Sequence, residues 1–176
     1  LGPVSLPQEV DRLPFVTKSI SGGEVQISDA NAWAEPLPPQ ITERLRFNLT
    51  RHLGKAYWVS DSGSPATPKK VDLKVKLDIN RFDQIPSSFV SIGSTWSVEQ
   101  PSTKKNVLRT FFFVDGCSIG STWSVEQPST KKNVLGQSNC QKPVKDDSVE
   151  QLVMADAEAL DCIAAEITTV IRKLSR

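Results

Sequence analysis

The chain has 176 residues, 38% of them apolar and 23% charged, enough for one domain (1–176) around one hydrophobic core. Lysine and arginine number 21 against 20 aspartates and glutamates, a net charge of +1. That balance gives no long-range pull on polyanions, and with no basic run longer than Lys69-Lys70 or Lys131-Lys132, nucleic acid is not an expected partner. No stretch approaches the roughly 18 apolar residues needed to span a bilayer.

The chain opens at Leu1 without a signal-like segment and so reads as processed or truncated. Residues Leu1 to Ser28 alternate in the manner of strands. Val4 and Leu6 flank Ser5; Phe15-Val16 leads to Gly22-Gly23, and Val25 and Ile27 alternate again, which predicts a hairpin turning at the glycines. Asp29-Ala30-Asn31 breaks the pattern. Pro38 or Pro39 can open a helix, and Ile41, Leu45, Leu49 and Leu53 recur at spacing four. The spacing predicts an amphipathic helix from about Pro39 to Leu53, closed by Gly54.

Ala56 to Ser60 reads as a short strand and Ser60 to Lys70 as a polar loop. From Val71 to Phe82 the apolar Val71, Leu73, Val75, Leu77 and Ile79 alternate with Asp72, Lys74, Lys76, Asp78 and Asn80, a strand with one buried and one wet face. Phe89 to Val98 repeats that pattern, and Val107 to Val114 and Ile119 to Val125 are further strand candidates. Gly136 to Lys145 reads as a loop. Asp146-Asp147-Ser148 then caps a long helix whose apolar face runs from Val149 through Leu160, Ile163 and Ile167 to Leu174, with Arg172, Lys173 and Arg176 at its negative end. Asp156 and Glu158 read as solvated. Strands, helix, strands, helix is the order of an α+β fold, an antiparallel or mixed sheet with two helices on one face.

One feature is unusual. Ser91 to Leu108 reads SIGSTWSVEQPSTKKNVL, and Ser118 to Leu135, 27 positions on, is identical. Repeat arrays diverge and usually need at least three copies to stack, so two identical copies point to a very recent duplication or an accident of sequencing or cloning. A second copy must add a strand, replace one, or loop out.

Few residues suggest chemistry. The single His52 permits a histidine-based triad only around itself, at the polar edge of the first helix. Asp146 and Asp147 read as capping groups, and Gly22-Gly23 as a turn rather than a phosphate loop. Three cysteines, Cys117, Cys140 and Cys162, leave at least one unpaired in a monomer. They read as buried or free thiols, Cys162 as a core thiol, with one disulfide involving Cys140 possible in an oxidising compartment. No cofactor, no metal and no catalytic residue is expected, and the protein reads as a non-enzyme.

Several segments carry a family resemblance: Gly2-Pro3-Val4-Ser5-Leu6-Pro7, Asp11-Arg12 before Phe15-Val16-Thr17-Lys18, and the turn Gly22-Gly23-Glu24-Val25-Gln26-Ile27. The block Trp33-Ala34-Glu35-Pro36-Leu37, Asn48-Leu49 in the first helix, Arg81-Phe82-Asp83 and the closing helix Ser148 to Leu174 complete it. Together they resemble the ABC-type transport auxiliary lipoproteins, the family of the paraquat-inducible protein C lipoprotein. The duplicated unit between Ser91 and Cys140 departs from that pattern. The resemblance implies a fold similar to the amino-terminal domain of TolB. It also implies a periplasmic protein anchored to the inner leaflet of the outer membrane, through an acylated cysteine ahead of Leu1. As partners it implies ABC permease subunits and mammalian-cell-entry (MCE) proteins that carry lipid between membranes, with sister copies in a homo-oligomer as a further one. A soluble periplasmic lipid carrier is the alternative. Phe15, Trp33, Tyr57 and Trp58 could be core plugs or contact anchors, and the Phe111-Phe112-Phe113 run a covered or exposed interface patch. Phe15, Trp33 and Phe112 are the expected partner-binding residues.

Overall fold

The computed structural model describes residues 1–19, 24–60, 73–100 and 132–175. Its centre is a four-stranded mixed sheet in the order β1-β4-β5-β6. Strands β4 (Lys74–Ile85), β5 (Phe89–Gln100) and β6 (Lys132–Pro143) form an antiparallel meander. Strand β1 (Val4–Ser5) joins β4 in parallel, Val4 opposite Leu77. A separate ribbon pairs β2 (Pro14–Lys18) with β3 (Val25–Ala32). Helices α1 (Leu37–Leu53) and α2 (Val149–Leu174) complete the α+β architecture.

The alternation in β4 determines its orientation. Val75, Leu77 and Ile79 are buried while Lys74, Lys76 and Asp78 are exposed. A bulge between Ile79 and Arg81 then shifts the phase, so that Phe82 and Gln84 turn inward. Val90, Ile92, Trp96 and Val98 of β5 share the core with Ile41, Leu45 and Leu49 of α1 and Leu152, Ile163 and Ile167 of α2. Ser148 caps α2 by accepting from the Gln151 N–H, with Glu150 in the first turn and Arg172 and Lys173 in the last. Helix α1 has Pro38 in its first turn and ends at Gly54, whose φ of 77° lies in the left-handed region and whose N–H reaches the Thr50 carbonyl.

Four sequence expectations need correction. Gly136 to Lys145 is mostly strand β6 rather than loop. Its inward positions are Gly136, Ser138 and Cys140, which give no apolar alternation, because Trp96 fills the space: a Cβ on Gly136 would lie 2.3 Å from the Trp96 ring. Ala56 to Ser60 is not a strand, since the Tyr57 N–H turns back to the Gly54 carbonyl. Asp29-Ala30-Asn31 does not end a strand, because β3 continues through it to Ala32, where Pro14 pairs. Asp156 faces the core and not solvent, being 5% exposed. The Gly22-Gly23 turn, Val71-Asp72, and the candidate strands Val107 to Val114 and Ile119 to Val125 lie outside the described residues.

The duplicated segments contribute unequally to this sheet. Ser91–Gln100 of the first copy forms most of β5, and Lys132–Leu135 of the second copy begins β6, with Gln100 opposite Lys132.

Candidate functional site

Three polar or aromatic assemblies stand out from the apolar packing. The first joins the helices. Asp161 of α2 sits between His52 and Arg51 of α1, with His52 Nε2 2.7 Å from Asp161 Oδ1 and the Arg51 guanidinium on the same oxygen. Burial alone would push the Asp161 carboxyl up, but the hydrogen bonds from His52 and Arg51 outweigh it and hold it below its ordinary range. Arg172 closes the end of α1 by donating to the His52 carbonyl. Arg51 and Asp161 border an open groove of about 350 Å³, lined also by Arg44, Lys142, Glu158 and Cys162. His52, expected at the polar edge of its helix, is therefore half-buried in an interhelical hydrogen bond with Asp161. A histidine–carboxylate pair becomes catalytic when it activates a nucleophile. The adjacent sulfur, Cys162, is not a thiol.

The second assembly lies between β6 and α2. Cys140 and Cys162 form a disulfide, the single bridge involving Cys140 that the sequence left open, in place of free thiols at these two positions; Cys117 lies outside the described residues. Trp96 Nε1 donates to Ser138 Oγ at 2.8 Å, and Ser138 donates in turn to the Glu166 carboxylate. Burial raises the Glu166 carboxyl, against the bond from Ser138. The two sulfurs and a Glu166 oxygen lie within 4.8 Å of one another, the spacing of a metal-ligand set. Joined to each other, the sulfurs are not the thiolates such a site requires. The assembly staples the far strand of the sheet to the long helix.

The third assembly is the ribbon. Phe15 of β2 is 2% exposed and stacks on Trp33 at 4.9 Å between ring centroids. The Trp33 N–H bonds the Leu13 carbonyl, closing the open end of the ribbon. Lys18 pins β2 to the sheet through Asp83 of β4 and reaches Glu9, both at 2.7 Å. Burial lowers the affinity of Lys18 for its proton, and the two carboxylates more than reverse this, leaving its pKa raised. By contrast β3 is exposed almost throughout, with Val25 at 41% and Ile27 at 48%. Among the described residues only β2 pairs with it. Of the expected partner-binding residues, the structure thus brings Phe15 and Trp33 together; Phe112 lies outside the described residues. Sequence reasoning did not single out Val25 and Ile27, although their alternation on a short strand carried the signal.

The sequence profile of the ABC-type transport auxiliary lipoprotein component matches residues 1–118. The chain belongs to this family. The matched stretch holds β1 to β5 and α1, and it ends at the first residue of the second repeat copy. The family is one of auxiliary transport components rather than of enzymes, and a lipoprotein of this kind is a membrane-associated protein of the cell envelope. No curated protein matches the sequence. Among solved structures, a protein described as uncharacterized superimposes with a TM-score of 0.68 at 16% identity, covering 97% of this chain and 88% of its own. A Xanthomonas campestris protein of the DUF330 family gives 0.57 at 13% identity, covering 95% and 78%. At such identity these likenesses establish the fold alone.

Proposed function

We propose that the protein is the periplasmic lipoprotein component of an ABC/MCE-type intermembrane lipid transport system, acting by binding and assembly. In this reading it is one domain, anchored to the inner leaflet of the outer membrane by an acylated residue ahead of Leu1, and it docks on an MCE-domain protein that works with ABC permease subunits. The observation that carries the reading is the ribbon. Strand β3 offers an edge that no described strand pairs, and two exposed β-branched side chains, on a frame held by the Phe15–Trp33 contact and the Lys18 ion pairs. An exposed edge of this kind takes up a strand from a partner through main-chain hydrogen bonds. The Cys140–Cys162 disulfide suits an oxidising compartment such as the periplasm.

The test is isolation of the acylated protein from its native envelope after crosslinking, with mass spectrometry of both protein and lipid. Recovery of an MCE-domain protein with the chain is the expected result. Recovery of the chain as a lone monomer loaded with stoichiometric lipid would replace this reading by that of a soluble carrier.

A further inference from the structure

Glu166 of α2 is held at one carboxylate oxygen and open at the other. Its Oε2 accepts from Ser138 Oγ, which in turn accepts from Trp96 Nε1, so the carboxylate is anchored on β6. Its Oε1 faces both Cys140 Sγ and Cys162 Sγ, at 4.0 Å from each. In the bonded form neither sulfur carries a hydrogen, so the pair offers that oxygen no donor. Cys140 is fully buried, whereas Cys162 lines the groove bordered by Arg51 and Asp161, which opens the bridge to small solutes from that side. Cys140, Cys162 and Glu166 all lie beyond residues 1–118, the stretch matched by the family.

We infer that Cys140, Cys162 and Glu166 form a zinc site in the dithiol state of the chain. A dithiol reductant entering by the groove cleaves the Cys140–Cys162 bond. The reductant is oxidised to its own disulfide, and its two thiol hydrogens pass to the two cysteines. Zinc then displaces both thiol protons and binds the two thiolates and Glu166 Oε1. Two thiolates and a carboxylate suit this borderline-soft cation, which takes no part in redox chemistry. With Zn–S of about 2.3 Å and Zn–O of about 2.1 Å, tetrahedral angles set sulfur and oxygen about 3.6 Å apart. Glu166 Oε1 already stands 4.0 Å from both sulfurs. The sulfurs must part to about 3.8 Å. Their Cα atoms are 6.3 Å apart, so rotation about χ1 accomplishes this without moving β6 from α2. The groove side leaves the fourth position open to an exogenous ligand. Ser138 is the positioning residue, fixing the carboxylate as outer-shell partners of a metal do. Strand β6 and helix α2 are thus joined in either redox state, through sulfur–sulfur or through sulfur–zinc–sulfur.

The experiment uses the full chain with Cys117→Ser, which removes the third thiol, oxidised or treated with a phosphine reductant without air. The reduced chain should take up one equivalent of zinc, and the oxidised chain none. Cobalt in place of zinc should give an intense thiolate-to-metal band in the near ultraviolet. Zinc should raise the melting temperature of the reduced chain, and a chelator should reverse the gain. Glu166→Gln and Ser138→Ala should each weaken zinc binding roughly ten- to hundredfold and shift the visible bands of bound cobalt. A reduced chain that takes up no zinc overturns the inference. Uptake that is equal in the oxidised chain, or unchanged by Cys140→Ser with Cys162→Ser, does so too. Should reduction unfold the chain, zinc must restore its near-ultraviolet circular dichroism; uptake without that return is binding to unfolded thiols and equally overturns it.

Discussion

Strands β5 and β3 both carry β-branched residues in alternation, and they meet opposite surroundings. In β5, Val90, Ile92 and Val98 lie buried beneath α2; in β3, Val25 and Ile27 face solvent. The difference lies in what pairs and covers them. Strand β5 is hydrogen-bonded on both edges, to β4 and β6, and α2 packs on its face. Among the described residues, strand β3 is bonded on one edge only. The same residue type is thus core in one place and exposed surface in the other, and substitutions should separate the two settings. The largest effect is expected in the covered layer. Ile163→Ala should cost about 2–5 kcal/mol because the fully buried site cannot collapse around the missing atoms. Ile27→Ala should stay within about 0.5 kcal/mol. Urea unfolding of the two variants measures the contrast directly.

The disulfide sharpens the comparison from the helix side. It closes a chain separation of 22 residues between β6 and α2. Replacing Cys140 and Cys162 together by serine should remove about 3 kcal/mol by the loop-entropy account. The loss should appear as a lower melting temperature with the ribbon unaffected.

Asp156 tests the same layer through pH. Its carboxyl receives a hydrogen bond from Gln84 while its Oδ1 has none, and burial raises its pKa well above the ordinary 3.8. The folded state therefore holds this proton more tightly than the unfolded chain does. The contribution is fully present below the ordinary carboxylate range and is lost as pH rises through the folded-state value. Asp156→Asn should make the protein more stable at neutral pH and flatten the fall in urea midpoint that sets in as pH rises above the ordinary carboxylate range.

A smaller change than those in the covered layer concerns the repeat. Because Gln100 pairs with Lys132 and the copies are offset by 27, excising residues 101–127 joins Gln100 to Pro128 and leaves Pro128-Ser129-Thr130-Lys131 between β5 and β6. Four residues are a common hairpin length. The excised protein should fold unchanged and gain about 1–2 kcal/mol from the shorter closure, read as a higher melting temperature. A loss of the fold would show that the second copy does structural work.

What was legible in the sequence followed from periodicity and capping. Both helices, strands β4 and β5 and the β2–β3 hairpin were read from apolar spacing, Ser148 and Gly54. Strand β6 was not, because its inward face is Gly136, Ser138 and Cys140, a pattern that makes sense only once Trp96 stands over it. The buried position of Asp156 depends on Gln84, 72 residues away, and the Cys140–Cys162 pairing on the packing of α2 against β6; neither is a local property. The family blocks in the first 49 residues identified the lineage, whereas the exposed ribbon surface needed the strand pairing to be seen.

The central claim is that the ribbon binds while the covered sheet supports it. Its most direct measurement is the affinity of the protein for the MCE-domain partner proposed above, compared with Val25→Asp plus Ile27→Asp. The account predicts a loss of at least about tenfold, equivalent to ~1.4 kcal/mol, with an unchanged melting temperature. Unaltered affinity in a folded double variant would contradict it.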